Sequence, residues 1–496
     1  MKKTLFITTI LAVAFVITGC GNNNRQSSNE TGLTPDFFNS PITGEITVSA
    51  FDSMAYRSFL EEAARQFETL YPGTKVNIET FSEMPELRTG GQGNMQVMQI
   101  QVQDNPQARQ DYISRVNTNL MSGTGADLYA MDVLPLHRFT ESGILENLEP
   151  YMEMDSNFNK ADYRQNILDA VNYRNGTWFI PLDYSFNYFA YDSTLVPSEI
   201  SANFGVHRAY SAEDLLRIGM PLFDGTYRLF NTVDYIRGPG GLFNMVLNQN
   251  IESFIDLESG RSNFLDSGFT DLLDSVRDSA EQGLIPRGIT GQQQAGQARQ
   301  QTMSNLTDRF FFKHNTSTNL LSLFTRNLGM QMRMGFSGSA PAIEADDEIA
   351  GIEANTNGSV PFTFNQGFAI NSQSENKATA WAFLKFLLSK EMQLSTNIAN
   401  MGFPIHNEAR HERSEFIFSG AFLGAGGTLN EQQRRAMDAY NAVVEAMSDN
   451  INTFVVTDTS LNDMIAAEVQ FFFNGSRTAN EVARNLQNRA TLYLSE

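Results

Sequence analysis

Polar side chains and aromatic rings follow predicted strands at several places in the sequence. Asp52 and Ser53 come directly after the first predicted strand, and Met131 and Asp132 follow a later one. The other candidates lie further along the chain: Tyr184, Ser185, Phe186, Asn187, Phe336 and Phe403. Carboxylate, amide and hydroxyl groups hydrogen-bond the hydroxyls of a ligand, and an aromatic ring stacks on the apolar face of a sugar ring. These residues are therefore candidates for contacts with a ligand.

Each of these residues also has a purely structural interpretation. An Asp that follows a strand often caps the next helix, so Asp52 and Asp132 could serve as helix caps. Alternate residues of a strand that crosses between two sheets face a core, which applies to residues 184–187. The sequence alone leaves both interpretations open.

The sequence contains no motif that signals a nucleophile, a phosphate-binding loop or a zinc helix. The segment Gly335–Ser339 departs from the nucleophile-elbow pattern because its last residue is Ser where that pattern requires Gly. His406 and His411 are five residues apart, which is not the spacing of a helical metal site. We therefore predict a protein with no catalytic residue, no metal and no cofactor. A pair of carboxylates for glycoside hydrolysis remains an alternative that one sequence leaves open.

The first elements of the chain predict an α/β lobe. Gly44–Phe51 and Lys75–Thr80 alternate apolar and polar residues as strands do, and Ser58–Leu70 between them has an apolar helical face. This order predicts a parallel sheet with a right-handed crossover, in which ligands contact the loops at the carboxyl ends of the strands. Loops of this kind carry Asp52 and Asp132.

The stretch Asn175–Pro197 opens with an Asn-Gly turn and is too long for one ordinary strand. It contains Pro181, which cannot donate a ladder hydrogen bond inside a sheet. We interpret the stretch as two strands that join near Pro181–Tyr184, where the chain leaves one sheet and enters another. The sequence therefore predicts two lobes with a ligand cleft between them.

The first twenty residues have the pattern of a secretion signal. Two lysines precede the apolar run Leu5–Val16, which is too short to be a stable transmembrane helix. The segment Ile17–Cys20 resembles the lipobox of bacterial lipoproteins, and Cys20 is the single cysteine of the 496 residues. We predict a signal peptide over residues 1–19, and a lipidated Cys20 with a flexible tether over residues 20–43.

The chain is strongly acidic, with a formal net charge of −21 at pH 7. Such a protein repels the phosphates of nucleic acids and of anionic lipids, so we predict no nucleic-acid partner. Attachment to a membrane must then come from the lipid on Cys20. The expected location is the outer face of the bacterial cytoplasmic membrane.

Several segments resemble the extracellular solute-binding proteins of family 1. They are, in chain order, GEITVSAFDS with FLEEAARQFETLYPGTKVNIE, LMSGTGADLYAMDVLPLHRFTESGILENLEPYM, NGTWFIPLDYSFNYFAYDSTLVP, GFAINSQSENKATAWAFLKFLLSKEMQ, NMGFPIHNEA and FFFNGSRTANEVARNLQNRATLYLSE. The order of the segments along the chain is the order in the family. No single segment identifies the family, and the resemblance is carried by the set.

This resemblance implies a two-lobe, periplasmic-binding-protein-like α/β fold similar to that of maltose-binding protein, with a mostly parallel sheet flanked by helices in each lobe. The first lobe would comprise residues 44–182 and 366–408, and the second lobe residues 183–365 and 409–496. The implied function is that of a lipid-anchored monomer that captures a sugar or oligosaccharide and delivers it to the permease subunits of an ABC importer. A peptide or polyamine ligand is the alternative within this fold. A surface glycoside hydrolase is the alternative from another class.

Overall fold

The computed structural model describes residues 33–51, 54–81, 106–231, 239–285, 309–325, 346–395, 402–419 and 427–495. The predicted signal peptide and Cys20 lie outside these residues. Among the residues that are described, no helix is both long enough and apolar enough to cross a membrane.

The strands of the described residues are two to eight residues long. In chain order they are β1 Gly44–Phe51, β2 Thr74–Phe81, β3 Leu128–Ala130, β4 Asn172–Tyr173, β5 Gly176–Thr177, β6 Ile180–Pro181, β7 Asp183–Tyr184, β8 Asn187–Asp192, β9 Ala209–Tyr210, β10 Arg228–Asn231, β11 Ile255–Asp256, β12 Arg261–Ser262, β13 Phe310–Thr316, β14 Asp347–Glu353, β15 Pro361–Phe362, β16 Gly367–Ile370, β17 Phe403–Pro404 and β18 Thr453–Phe454.

The helices surround the two main sheets. They are Pro35–Phe38, Met54–Leu70, Pro106–Met121, Leu136–Glu141, Glu149–Met154, Gln165–Ala170, Ser198–Ser201, Ala212–Gly219, Pro239–Gln249, Ile251–Phe254, Ser267–Glu281, Leu320–Thr325, Lys377–Leu387, Lys390–Gln393, Asn407–Phe418, Glu431–Ser448, Thr459–Phe473 and Ala479–Ser495, with 3-10 turns at Lys160–Asp162, Met220–Leu222 and Ser317–Asn319.

The first sheet has the strand order β2-β1-β3-β16-β6 and contains the predicted βαβ unit. β1 pairs in parallel with β2 along its full length and with β3 on its other side. The helix that connects β1 to β2 buries Phe59, Ala63 and Phe67, which recur at helical spacing and face the sheet. Because β1 and β3 are parallel, their carboxyl ends lie at the same edge of the sheet, and the chain leaves β3 there at Met131 and Asp132.

The second sheet has the strand order β10-β13-β8-β14-β9 and mixes both pairings. β8 runs antiparallel to β13 and β14, whereas the outer pairs β10–β13 and β14–β9 are parallel. β8 follows directly after the crossing from the first sheet, and it runs antiparallel to both of its neighbours. β16 returns to the first sheet in the same way and is antiparallel to β3. The mixed pairing of both sheets therefore follows from the crossings of the chain.

Three segments of the chain meet at Asp183, where the chain passes between the sheets. The Oδ1 of Asp183 accepts hydrogen bonds from the backbone N of Asn365 at 2.8 Å and from its Nδ2 at 3.2 Å. Burial raises the pKa of Asp183 to about 6, although these bonds act in the opposite direction. Gly402 has φ +64°, and a Cβ there would lie 2.6 Å from the carbonyl oxygen of Tyr184. Only glycine fits this close approach.

The C-terminal helices are divided between the two hydrophobic cores. Helices Asn407–Phe418 and Glu431–Ser448 contribute to the core of the first sheet, and the latter also contacts helix Leu320–Thr325 next to the second sheet. Helices Thr459–Phe473 and Ala479–Ser495 pack in the core of the second sheet. The last helix begins as predicted, with a capping box in which Thr478 and Glu481 each accept a hydrogen bond from the other's backbone N–H.

Candidate ligand-binding site

A cavity of about 370 Å³ lies where residues from the two sheets meet. The loop after β3 contributes Met131 and Asp132, the start of β8 contributes Asn187, and the ends of β13 and β14 contribute His314 and Glu353. Met131, Asp132 and Asn187 were predicted from the sequence as ligand contacts. In the structure, all three line this cavity. Strand ends from both sheets therefore position its polar groups.

Asp132 presents an unsatisfied carboxylate oxygen in this cavity. Its Oδ1 is buried and has no hydrogen-bond partner among the described residues. Burial raises the pKa of the Asp132 carboxyl to about 7, while the backbone amides of Asp132 and Val133 act in the opposite direction. The next helix, Leu136–Glu141, begins after Pro135 and has no side-chain cap. Asp132 therefore does not cap that helix, which removes its structural alternative.

Glu353 is the centre of a buried hydrogen-bond network on the opposite side. Its Oε1 accepts from the Nε2 of Gln249 at 2.5 Å, and its Oε2 lies 3.0 Å from the Nε2 of His314. Asn187 is a third hydrogen-bond partner of this carboxylate. Burial alone would raise the pKa of Glu353, but His314, Gln249 and Asn187 together hold it below its ordinary value. The carboxylate is therefore ionised at neutral pH and orients the polar side chains around it.

Four phenylalanine rings form an apolar wall of the cavity. The rings of Phe179 and Phe364 are 4.9 Å apart between centroids, and the ring of Phe454 lies 5.5 to 5.6 Å from those of Phe179, Phe362 and Phe364. Phe179 and Phe362 are buried, whereas Phe364 and Phe454 keep part of their surface accessible beside the cavity. An exposed ring face next to fixed polar groups suits a ligand with an apolar face and polar edges.

The other predicted contacts that are described lie at the crossing between the sheets. Phe186 stacks on Phe403 with a centroid distance of 5.8 Å, and the hydroxyl of the buried Tyr184 lies 3.1 Å from the Oγ of Ser448. Ser185 pairs through its backbone with Thr363. None of the four residues Tyr184, Ser185, Phe186 and Phe403 lines the cavity. Asp52, Ser53 and Phe336 lie outside the described residues.

Sequence reasoning missed several residues of this wall, including His314, Glu353, Phe364 and Phe454. A usable signal existed for two of them. His314 and Glu353 lie at or near the carboxyl ends of strands that are mostly buried, and titratable residues rarely occupy such positions without a partner or a function. The two rings carry no such signal, since Phe is frequent throughout the chain. Within the described residues, no group of three or more His, Cys, Asp or Glu side chains could hold a metal ion.

Polar contacts also join the two lobes beside the cavity. Arg109, from a helix of the first core, forms an ion pair with Asp463 of helix Thr459–Phe473, in which its Nη2 lies 2.8 Å from each carboxylate oxygen. The Nε2 of His137 lies 3.6 Å from the buried Oδ2 of Asp458. Burial lowers the pKa of His137, although Asp458 acts in the opposite direction. Asp458 also accepts hydrogen bonds from the hydroxyl of Tyr493.

The fold is shared with solved binding proteins of two lobes. The sugar-binding protein MalE of Xanthomonas citri matches with a TM-score of 0.54 at 12% identity, over 91% of this chain and 98% of that one. A family 1 extracellular solute-binding protein of Alicyclobacillus acidocaldarius has a TM-score of 0.53 at 14% identity, over 92% and 100%. An ABC substrate-binding protein of Listeria monocytogenes in complex with cycloalternan has a TM-score of 0.51 at 16% identity, over 91% and 99%. These similarities define a two-lobe, periplasmic-binding-protein-like α/β fold and confirm the fold class predicted from the sequence.

The sequence itself identifies the family. Residues 92–415 match the model of the bacterial extracellular solute-binding proteins, and this segment is more than half of the chain. The chain therefore belongs to the bacterial extracellular solute-binding protein family, as the resemblance predicted. No curated protein sequence matches it significantly.

Proposed function

We propose that this protein captures a monosaccharide or disaccharide in the cavity between its lobes and delivers it to the permease subunits of an ABC importer. The observation that carries the proposal is the cavity itself, which combines Asp132, Asn187 and Glu353 with the exposed faces of Phe364 and Phe454. Its volume of about 370 Å³ is near the lower end of the roughly 300 to 1,000 Å³ typical of small-molecule sites. The size therefore favours a small sugar over a long oligosaccharide.

The polar groups come from both lobes, so a bound sugar would bridge them. Asp132 follows a strand of the first sheet, whereas Asn187 and Glu353 belong to strands of the second. We propose that the chain crosses between the lobes at 182/183 and at 365/366, as predicted from the sequence. We also propose that the ligand shifts an equilibrium between open and closed lobes toward the closed state. The closed state is then the form that the importer recognises. Structural relatives support a sugar as the ligand, since one of them is a sugar-binding protein and another was solved in complex with cycloalternan.

The glycoside hydrolase alternative has one observation in its favour and one against it. Asp132 and Glu353 line the same cavity, and their pKa values are shifted in opposite directions, as those of an acid and a nucleophile often are. Both oxygens of Glu353, however, are occupied by Gln249 and His314. These hydrogen bonds fix the carboxylate within the protein's own network, which favours a role in orienting polar side chains over a role as a nucleophile. We therefore infer binding without chemistry.

The first test is thermal and calorimetric. A cognate monosaccharide or disaccharide should raise the melting temperature of the protein, because it binds the folded state alone. Replacing Phe454 by Ala should weaken binding about tenfold or more, since the sugar loses the ring on which it packs. Phe416→Ala is the matched control, because Phe416 is an exposed ring that does not line the cavity. Equal affinities of the two variants would contradict the proposed site.

We further propose that the mature chain begins at Cys20 and is held at the membrane by a lipid on that residue. The support is the single cysteine, which directly follows an apolar run and a lipobox-like segment. Replacing Cys20 by Ser should leave the protein unprocessed or release it from the membrane fraction. Fractionation followed by immunoblotting measures this directly, and normal processing with membrane retention of the variant would disprove the anchor.

A further inference from the structure

The charges around the cavity do not balance. Asp132 and Glu353 are the carboxylates among the described residues that line it, and none of those lining residues is Lys or Arg. Glu353 already accepts hydrogen bonds from Gln249 and Asn187, and its Oε2 lies 3.0 Å from the Nε2 of His314. The carboxylate of Asp132 is therefore the acidic group that no described side chain of the cavity compensates, and a ligand cation would stabilise its ionised form.

The surroundings of Asp132 strengthen the interaction of its carboxylate with a ligand cation. Met131 and Leu134 line the cavity beside it and are buried, so the carboxylate lies against apolar surface. The Oδ1 has no hydrogen-bond partner among the described residues. A buried carboxylate without a counter-charge costs free energy, and a ligand cation offsets this cost more completely than a neutral hydroxyl does. Hydrogen bonds between two charged groups are also stronger than those of neutral groups.

We propose that the cleft selects an amino sugar, whose protonated amine pairs with Asp132 while its ring packs on Phe364 and Phe454. The same ring faces also favour a cation, because the face of an aromatic ring attracts positive charge. Asn187 and the network of Glu353 then bind the hydroxyls of the sugar. This inference rests on the proposed function, since it names the class of sugar that the same site takes.

The test compares sugars that differ only in an amine and a hydroxyl. Titration calorimetry uses D-glucosamine against D-glucose, D-galactosamine against D-galactose, and the β-1,4 dimer of glucosamine against cellobiose. We expect at least one amino sugar to bind about tenfold or more tightly than its neutral counterpart. The Asp132→Asn variant should bring that ratio close to one. Asp169→Asn, which removes an exposed carboxylate of the same lobe, should leave the ratio unchanged.

Two further ligands separate failure of this inference from failure of the proposed function. Putrescine carries amines without a sugar ring, and D-glucuronate carries a sugar ring with a negative charge. Neutral sugars that bind as tightly as amino sugars would overturn the amine preference and leave sugar binding intact. If putrescine bound and none of the sugars did, the proposed sugar binding would be wrong, and the preference of the site for a cation would remain. Tight binding of D-glucuronate, or binding of no ligand in the panel, would overturn the inference.

Discussion

Replacing Glu353 by Ala is expected to lower the free energy of unfolding by about 3 kcal/mol, because several buried polar groups lose their partner at once. The amide of Gln249 and the ring of His314 would then face a buried space without an acceptor. Affinity should fall as well, since Asn187 and His314 line the cavity and are held in place by this carboxylate. Urea unfolding gives the first quantity, and titration with the cognate sugar gives the second.

Two variants test whether the network is responsible for the loss. Glu353→Gln keeps an acceptor oxygen in the same position, so it should lose only about 1 kcal/mol. Glu348→Ala removes a carboxylate from the same strand. Glu348 is exposed, and it accepts a hydrogen bond from the hydroxyl of Tyr191. Its expected effect is below about 1 kcal/mol. If Glu353→Ala were as stable as Glu348→Ala, the network would contribute little to the free energy of unfolding.

Local patterns in the sequence were sufficient to predict the βαβ unit of the first sheet. The unit from β1 to β2 and the capping box at Thr478 both depend on residues close in sequence, and the structure confirms both. The pairings of β8 and β16 depend instead on how the chain crosses between sheets, which no local pattern records. Fold class was predictable because few architectures accommodate such an order of elements.

The site was predictable only where it follows strand ends of the first sheet or the crossing. Asp132 and Asn187 were predicted from such positions and line the candidate cavity, whereas Tyr184 and Phe186 occupy similar positions and pack in the crossing. Period-two alternation shows that neighbouring residues point to opposite faces, but it does not show which face meets a cavity. Glu353 belongs to the site because residues 100 or more positions apart, such as Gln249, converge on it. Long-range convergence of this kind is visible only in three dimensions.

Replacing Asp458 by Ala is expected to lower the free energy of unfolding by about 2 to 3 kcal/mol, because this residue accepts hydrogen bonds from two groups and faces a third, His137, at one buried position. Its Oδ1 accepts from the backbone N of Leu461 at 3.0 Å and so caps helix Thr459–Phe473. It also accepts from the hydroxyl of Tyr493 at 2.8 Å and faces His137 of the first lobe. Asp458→Asn keeps an acceptor for the cap and should recover more than half of the loss, as thermal or urea unfolding would show.

Asp458→Ala should also weaken ligand binding, because Asp458 contacts the opposite lobe. Affinity for a ligand of the closed state falls in proportion to the fraction of closed protein. Asp463 provides the matched comparison, since it pairs with Arg109 across the lobes and is not the residue that caps its helix. Asp463→Ala should therefore lower affinity several-fold with a loss of stability below about 1 kcal/mol, and should increase the radius of gyration in small-angle scattering. If Asp463→Ala changed neither affinity nor radius of gyration, contacts between the lobes would not control closure, and the effect of Asp458 would be one of helix capping alone.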